Sequence, residues 1–151
     1  MPKKDIKKQL ERSLQTTLQY FDLSKDNLQK SYAPGKWTIQ QILHHLADSE
    51  TVLHERLKRI IGGPIQVLWT FDQDLWCQEL DYQQVPLDIS KDLFQSLRRS
   101  VIYLLDQHYD RKKDQSFIHS KTGKRTLEEA FQKIGWHNEN HLNHIRQALK
   151  S

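Results

Sequence analysis

A chain of 151 residues, 36% hydrophobic and 28% charged, can bury one sizeable core but not two, so a single domain over residues 1–151 is expected. Four Trp, five Tyr and five Phe argue against disorder, and 23 basic against 19 acidic residues leave a net charge of +4, too modest to specify nucleic acid by itself. The lone Cys77 excludes an intrachain disulfide and a thiolate-rich metal site, while the charged start MPKKDIKKQLERSL and the absence of an apolar run near roughly 20 residues argue against a membrane anchor and point to the cytoplasm.

The first element places Ile6, Leu10, Leu14, Leu18 and Phe21 on one face of a helix. The stretch SKDNLQKSYAPGK, with Pro34 and Gly35, then interrupts helical continuation. Thr38 followed by Gln41 forms a capping box that opens a second helix, which runs to the stop Gly62-Gly63-Pro64 with Ile39, Ile42, Leu46, Leu53, Leu57 and Ile60 inward. At about 1.5 Å per residue this helix is roughly 35 Å long, a length that suits a bundle. The following residues, GGPIQVLWTFDQDLWCQELDYQQVPLD, have no clean period and read as a long covering loop, with Trp69, Asp72 and Trp76 as candidates for a substrate wall.

A third helix is expected from Asp88 or Ser90 as cap, with Leu93, Leu97, Val101 and Leu104 inward. After the polar connection DRKKDQSFIHSKTGKR, a second capping box, Thr126 with Glu129, opens a fourth helix whose inner face reads Leu127, Ala130, Phe131, Ile134, Ile145 and Ala148. No strand pair is expected. Gly135, inside the last helix, hints at close packing. Basic clusters at Lys7–Lys8, Arg98–Arg99, Arg111–Lys113 and Lys121–Arg125 read as solvated faces and loop charges, since no aromatic-interleaved or groove-reading motif accompanies them.

The histidines separate by helical phase, at about 100° per residue. With Ile134 as zero, His137 falls near about −60°, His141 near about −20° and His144 near about −80°. On the second helix, with Ile42 as zero, His45 lies near about −60°, whereas His44 near about 200° and His54 near about 120° point away. Buried imidazoles need partners for their ring nitrogens, and the i, i+4 spacing of His137 and His141 puts both on adjacent turns, as in metal-binding helices. His45, His137 and His141 are therefore the candidate metal ligands, with His144 in a supporting place. Glu50, near about +80° on the second helix, is a candidate for the site margin or for a hydrogen bond to a ligating histidine. No catalytic base is identified.

The segment GKWTIQQILHHLADSE resembles the entry to the second helix of the DinB/YfiT-like superfamily, and HNENHLNHI resembles that family's second histidine motif. FDQDLW, LFQSLRRSVIYLL and IHSKTGKRTLEEAF fall between them in the family's order, so the likeness spans nearly the whole chain. The resemblance implies an all-α antiparallel four-helix bundle, with a long loop between helices two and three, often dimeric. It also implies a metal held by the same three histidines, here His45, His137 and His141. Family members are described as metal-dependent hydrolases, and several branches use low-molecular-weight thiols such as bacillithiol or mycothiol. Three neutral imidazoles leave a divalent ion such as Zn²⁺ or Ni²⁺ with open positions, where water or a thiol loses its proton more easily. The expected function is a thiol-dependent S-transferase acting on a small molecule. The alternatives are a metal-dependent hydrolase or a non-catalytic, metal-stabilised stress-related or dimerising protein.

Overall fold

The apolar stripes become helices in a computed structural model that describes residues 1–151. In chain order the elements are α1 (Lys3–Tyr20), the one-turn α2 (Lys25–Leu28), α3 (Ile39–Gly62), β1 (Val67–Leu68), α4 (Gln73–Glu79), α5 (Leu87–Lys112), β2 (Ser116–His119), β3 (Gly123–Thr126) and α6 (Leu127–Leu149). The four long helices, α1, α3, α5 and α6, form an all-α bundle. Both capping boxes are present: Thr38 Oγ1 accepts from Gln41 N while Gln41 Oε1 accepts from Thr38 N, and Thr126 and Glu129 repeat the arrangement. No helix is long and apolar enough to cross a membrane.

Polar pairings between helices fix their directions. Lys3 reaches Asp110, and Lys91 reaches Asp22, so α1 and α5 run antiparallel. His44 meets Ser90 and His54 meets Ser100, so α3 and α5 run parallel. His45 lies against His137, and Asn138 bonds Thr17, placing α6 between α3 and α1. The chain therefore returns from the end of α3 to the start of α5 along the length of the bundle.

The core has two apolar halves. Ile6, Leu10, Leu57, Leu105 and Phe131 fill one, and Leu14, Ile39, Ile42, Phe94, Leu142 and Ile145 fill the other. Between them lies a buried polar layer centred on Arg98. Its guanidinium donates to both carboxylate oxygens of Glu50 at 2.6 and 3.0 Å, to Ser13 Oγ at 2.8 Å, to Leu10 O at 3.0 Å and to Asn138 Oδ1 at 2.8 Å. This corrects the reading of Arg98 as a solvated charge, because the residue is 0% exposed. The inward stripe of α5 is Phe94, Arg98, Val101, Leu105 and Tyr109, one residue on from the expected Leu93 and Leu97 register. Leucines at 93, 97 and 104 offer an equally good helical period, and the charge at 98 conceals the true one. Neither Asp88 nor Ser90 caps this helix. It starts after Pro86 without a side-chain cap, and Ser90 Oγ instead meets His44 Nδ1 at 2.7 Å.

The connections also contain a small sheet that the sequence did not suggest. β1 pairs in parallel with β2, matching Leu68 to His119, and β2 pairs antiparallel with β3, matching Ser116 to Thr126. Strands of two to four residues are too short to display a period of two. Gly123 turns the hairpin with φ +83°, a conformation that favours glycine. Gly135 lies where a side chain would run into Gln9 of α1, the close approach its place in the helix suggested.

Candidate metal centre

His45 projects from α3, and His137 and His141 from successive turns of α6, so that three rings from two helices face one another. His45 Nε2 lies 3.0 Å from His137 Nε2, and one ligand atom from each of the three residues falls within 4.8 Å of the others. The ring centroids are 5.0 Å apart for His45–His137, 4.7 Å for His45–His141 and 4.6 Å for His137–His141, all edge-on. Nitrogens bound tetrahedrally to one ion at 2.0–2.1 Å are about 3.4 Å from one another, a value inside this range.

The donor set also has the right charge state. Burial, then the neighbouring imidazoles, lowers His45 to about 2. Burial, His141, Lys133 and Arg98 lower His137 to about 3, and burial with His144 lowers His141 to about 4. All three are neutral at pH 7, the form that donates a lone pair to a metal. His45 Nδ1 and His141 Nδ1 are buried without a hydrogen-bond partner. Three neutral imidazoles whose ring nitrogens converge this closely fit a divalent cation, and no fourth His, Cys, Asp or Glu joins the cluster.

Aromatic side chains wall the site. Trp37 packs against His45 at 4.9 Å and His141 at 6.4 Å between centroids. Phe71, from the connection after α3, faces His45 at 6.4 Å and is backed by Trp76 at 4.5 Å. The long connection does form a wall, but through Phe71. Trp69 is 76% exposed, and Asp72 caps α4 by accepting from Leu75 N. His144 stacks on Tyr32 at 4.2 Å and stands edge-on to His141, a supporting place consistent with its helical phase.

Two expectations are corrected. Glu50 does not hydrogen-bond to a ligating histidine, because both its oxygens accept from Arg98. His44 is only 1% exposed, buried against α5 instead of pointing to solvent. Arg56 and His119 also escaped the sequence reading, although both line a cavity that reaches His45 and His137. Arg56 could have been found from its place three residues after inward Leu53. His119 shares a strand face with buried Phe117, a signal visible only once β2 is known.

Two cavities open beside the rings. One of about 470 Å³ runs past Tyr32, Lys36, Trp37, Asp74 and Asn140 to His137 and His141. The other, about 260 Å³, reaches His45 and His137 between Phe71, Gln73 and the β2–β3 hairpin. Asp74 is the sole carboxylate lining either one.

The sequence pattern of the DinB superfamily matches residues 9–145. A protein of Oceanobacillus iheyensis provisionally named a metal-dependent hydrolase is 31% identical over 129 residues, covering 85% of this chain and 74% of its own. A second from the same organism, named likewise, is 32% identical over 141 residues, covering 93% and 80%. Among solved structures, YfiT from Bacillus subtilis, described as a probable metal-dependent hydrolase with an unusual four-helix bundle topology, matches with a TM-score of 0.88 and 26% identity, over 98% of this chain and 86% of that one.

Proposed function

The chain belongs to the DinB superfamily, and from that premise we propose that it is a metal-dependent enzyme whose divalent ion, Zn²⁺ or Ni²⁺, is held by His45, His137 and His141. The observation that carries the proposal is the convergence of three neutral imidazoles beside two cavities, with no fourth protein ligand to close the coordination sphere. When bound, such an ion supplies open coordination positions and makes an incoming water or thiol a better acid, hence a nucleophile near neutral pH.

The chain's own residues favour a low-molecular-weight thiol as that nucleophile, in an S-transfer to a small electrophilic substrate. A thiol that enters as its thiolate needs no further proton acceptor. Water attacking a carbonyl or phosphoryl group benefits from a general base. Here the buried Glu50 is committed to Arg98, and the half-buried Asp48 to the hydroxyl of Tyr82, which donates to it at 2.6 Å. Trp37 and Phe71 restrict water around the rings, which protects a reactive thiolate. Hydrolysis is the second reading, favoured by the names of the relatives, and it would draw on Asp74 as the base.

Purified protein should hold about one divalent ion per chain, since three histidines make one site. Metal-loaded protein should conjugate a thiol such as bacillithiol to an aryl halide, and His141→Ala should abolish both metal content and conjugation. Full metal retention in His141→Ala would refute the assigned ligands. Asp74→Asn separates the two chemistries: it leaves thiol transfer within about twofold but lowers ester hydrolysis by about 10²-fold, the low end for a lost general base.

We further propose a homodimer. The outward face of α5 exposes Ile89, Leu93 and Tyr103 at helical spacing, a stripe that a second copy could cover. Light scattering should then give twice the chain mass, and Leu93→Lys should reduce it to the monomer value.

A further inference from the structure

A third cavity, of about 360 Å³, shares Arg56, His119 and Lys133 with the one that reaches the histidine cluster. Its volume is at the lower end of the about 300–1,000 Å³ typical of small-molecule sites. Its apolar lining is Leu53, Phe117, Ala130 and Trp136. Its polar lining carries positive charge with little to balance it: Arg56, Arg125 and Lys133 against Glu129.

Arg56 is 8% exposed. Its guanidinium donates from Nη2 to the carbonyl of Trp69 at 2.6 Å, while its Nε is buried with no partner. No carboxylate pairs with Arg56 or with Lys133. The acid on this cavity, Glu129, is engaged by Arg125 and by the cap of α6. His119 adds a directed donor. Its Nδ1 accepts from the backbone N–H groups of Lys121 and Thr122 at 3.1 and 3.2 Å. The neutral ring must therefore carry its hydrogen on Nε2, which has no acceptor in the chain.

Like charges gathered in a partly buried wall repel one another and lose hydration, so a fold keeps them together only with a compensating partner. Lys133 sits in this surrounding, its ammonium pushed below its usual range first by burial and then by Arg56 and Arg125. An anion in the cavity offsets the repulsion among these cations.

We infer that Arg56, His119 Nε2–H and Lys133 form an anion-binding subsite that receives a carboxylate or phosphate group of the substrate, with its apolar body on Leu53 and Phe117. The subsite rests on the proposed metal centre for its catalytic meaning, since the shared cavity directs the bound molecule toward His45 and His137, but its affinity for an anion is independent of the ion. It makes the substrate an anionic electrophile or ester, oriented by its charged end.

The test is calorimetric titration of the protein with inorganic phosphate and, separately, benzoate, at low ionic strength. At least one should bind, and whichever does identifies the anionic group. Lys133→Gln changes a side chain that makes no hydrogen bond in the chain, so it should leave the fold intact while weakening binding about tenfold, in the range of a charged hydrogen bond. Arg56→Gln should weaken it further. His141→Ala, stripped of metal, should bind the anion as the parent does. Binding of neither probe, binding unchanged in Lys133→Gln, or binding lost in His141→Ala and kept in Lys133→Gln would overturn the subsite, the last because the anion would then sit on the ion. Metal content, measured in the same preparations, reports on the metal centre separately.

Discussion

His45→Ala abolishes stoichiometric divalent-metal binding while the helical bundle persists. His45 is the one member of the cluster contributed by α3, so its removal leaves an i, i+4 pair on α6. Affinity should fall by well over the about 10–100-fold that accompanies loss of a mere supporting hydrogen bond. Elemental analysis after dialysis and competition with a chromogenic chelator give the two measurements, and a variant that still holds one ion per chain would end the assignment.

The same substitution should flatten two linkages. Saturation of the parent with metal at about 100 times Kd adds about 2.7 kcal/mol to unfolding free energy, whereas His45→Ala should gain almost nothing. In metal-free protein the folded-state values of about 2, 3 and 4 lie below the ordinary 6.5 of an unfolded histidine. The unfolded chain therefore takes up protons first on acidification. Stability contributed by the neutral cluster is present above about pH 6.5 and is lost as pH falls toward about 4, with a shallower loss in His45→Ala. Urea midpoints of chelator-treated protein across this window check the sign.

Arg98→Met lowers stability by about 3–5 kcal/mol, the cost of leaving a buried charge without its partner. Glu50, 3% exposed, would keep its carboxylate in the core, and Asn138 Oδ1 and Ser13 Oγ would lose a donor. Pairing the change with Glu50→Gln should recover much of the loss, because removing both charges together avoids the uncompensated one. Chemical denaturation of the two single variants and the double variant gives the coupling. A loss under about 1 kcal/mol for Arg98→Met would mean that the pair behaves like an exposed surface bridge. Arg98 also helps to lower His137, so the polar layer that stabilises the core influences the proposed ligand beside it.

The helices that carry the three histidines were legible because each announces itself twice, by a capping box and by a long apolar stripe on which the histidine sits. His44 was misjudged for a definite reason. Helical phase assigns one buried face, but α3 has α5 on one side and α6 on the other, and it is buried continuously from Ile42 to Ala47. Arg98 was hidden by two competing registers in a leucine-rich helix. Arg56 and His119 depend on contacts between distant connections, which no local period encodes. The sheet joining those connections is too short to leave a pattern in the sequence.

The parallel course of α3 and α5 has a consequence for how such a site can vary. Two parallel neighbours cannot be joined by a tight turn. The chain must return along the roughly 35 Å of α3, and roughly a dozen extended residues would be enough. The connection from Gly63 to Pro86 is longer than that minimum, and its slack includes Phe71 and α4 beside the rings. The entropy of closing a loop grows only with the logarithm of its length, about 0.6 kcal/mol for each doubling. Insertions and deletions in this return path are therefore thermodynamically cheap and leave the histidine-bearing helices untouched, so selectivity can drift in the crossover while the ligands stay where the bundle holds them.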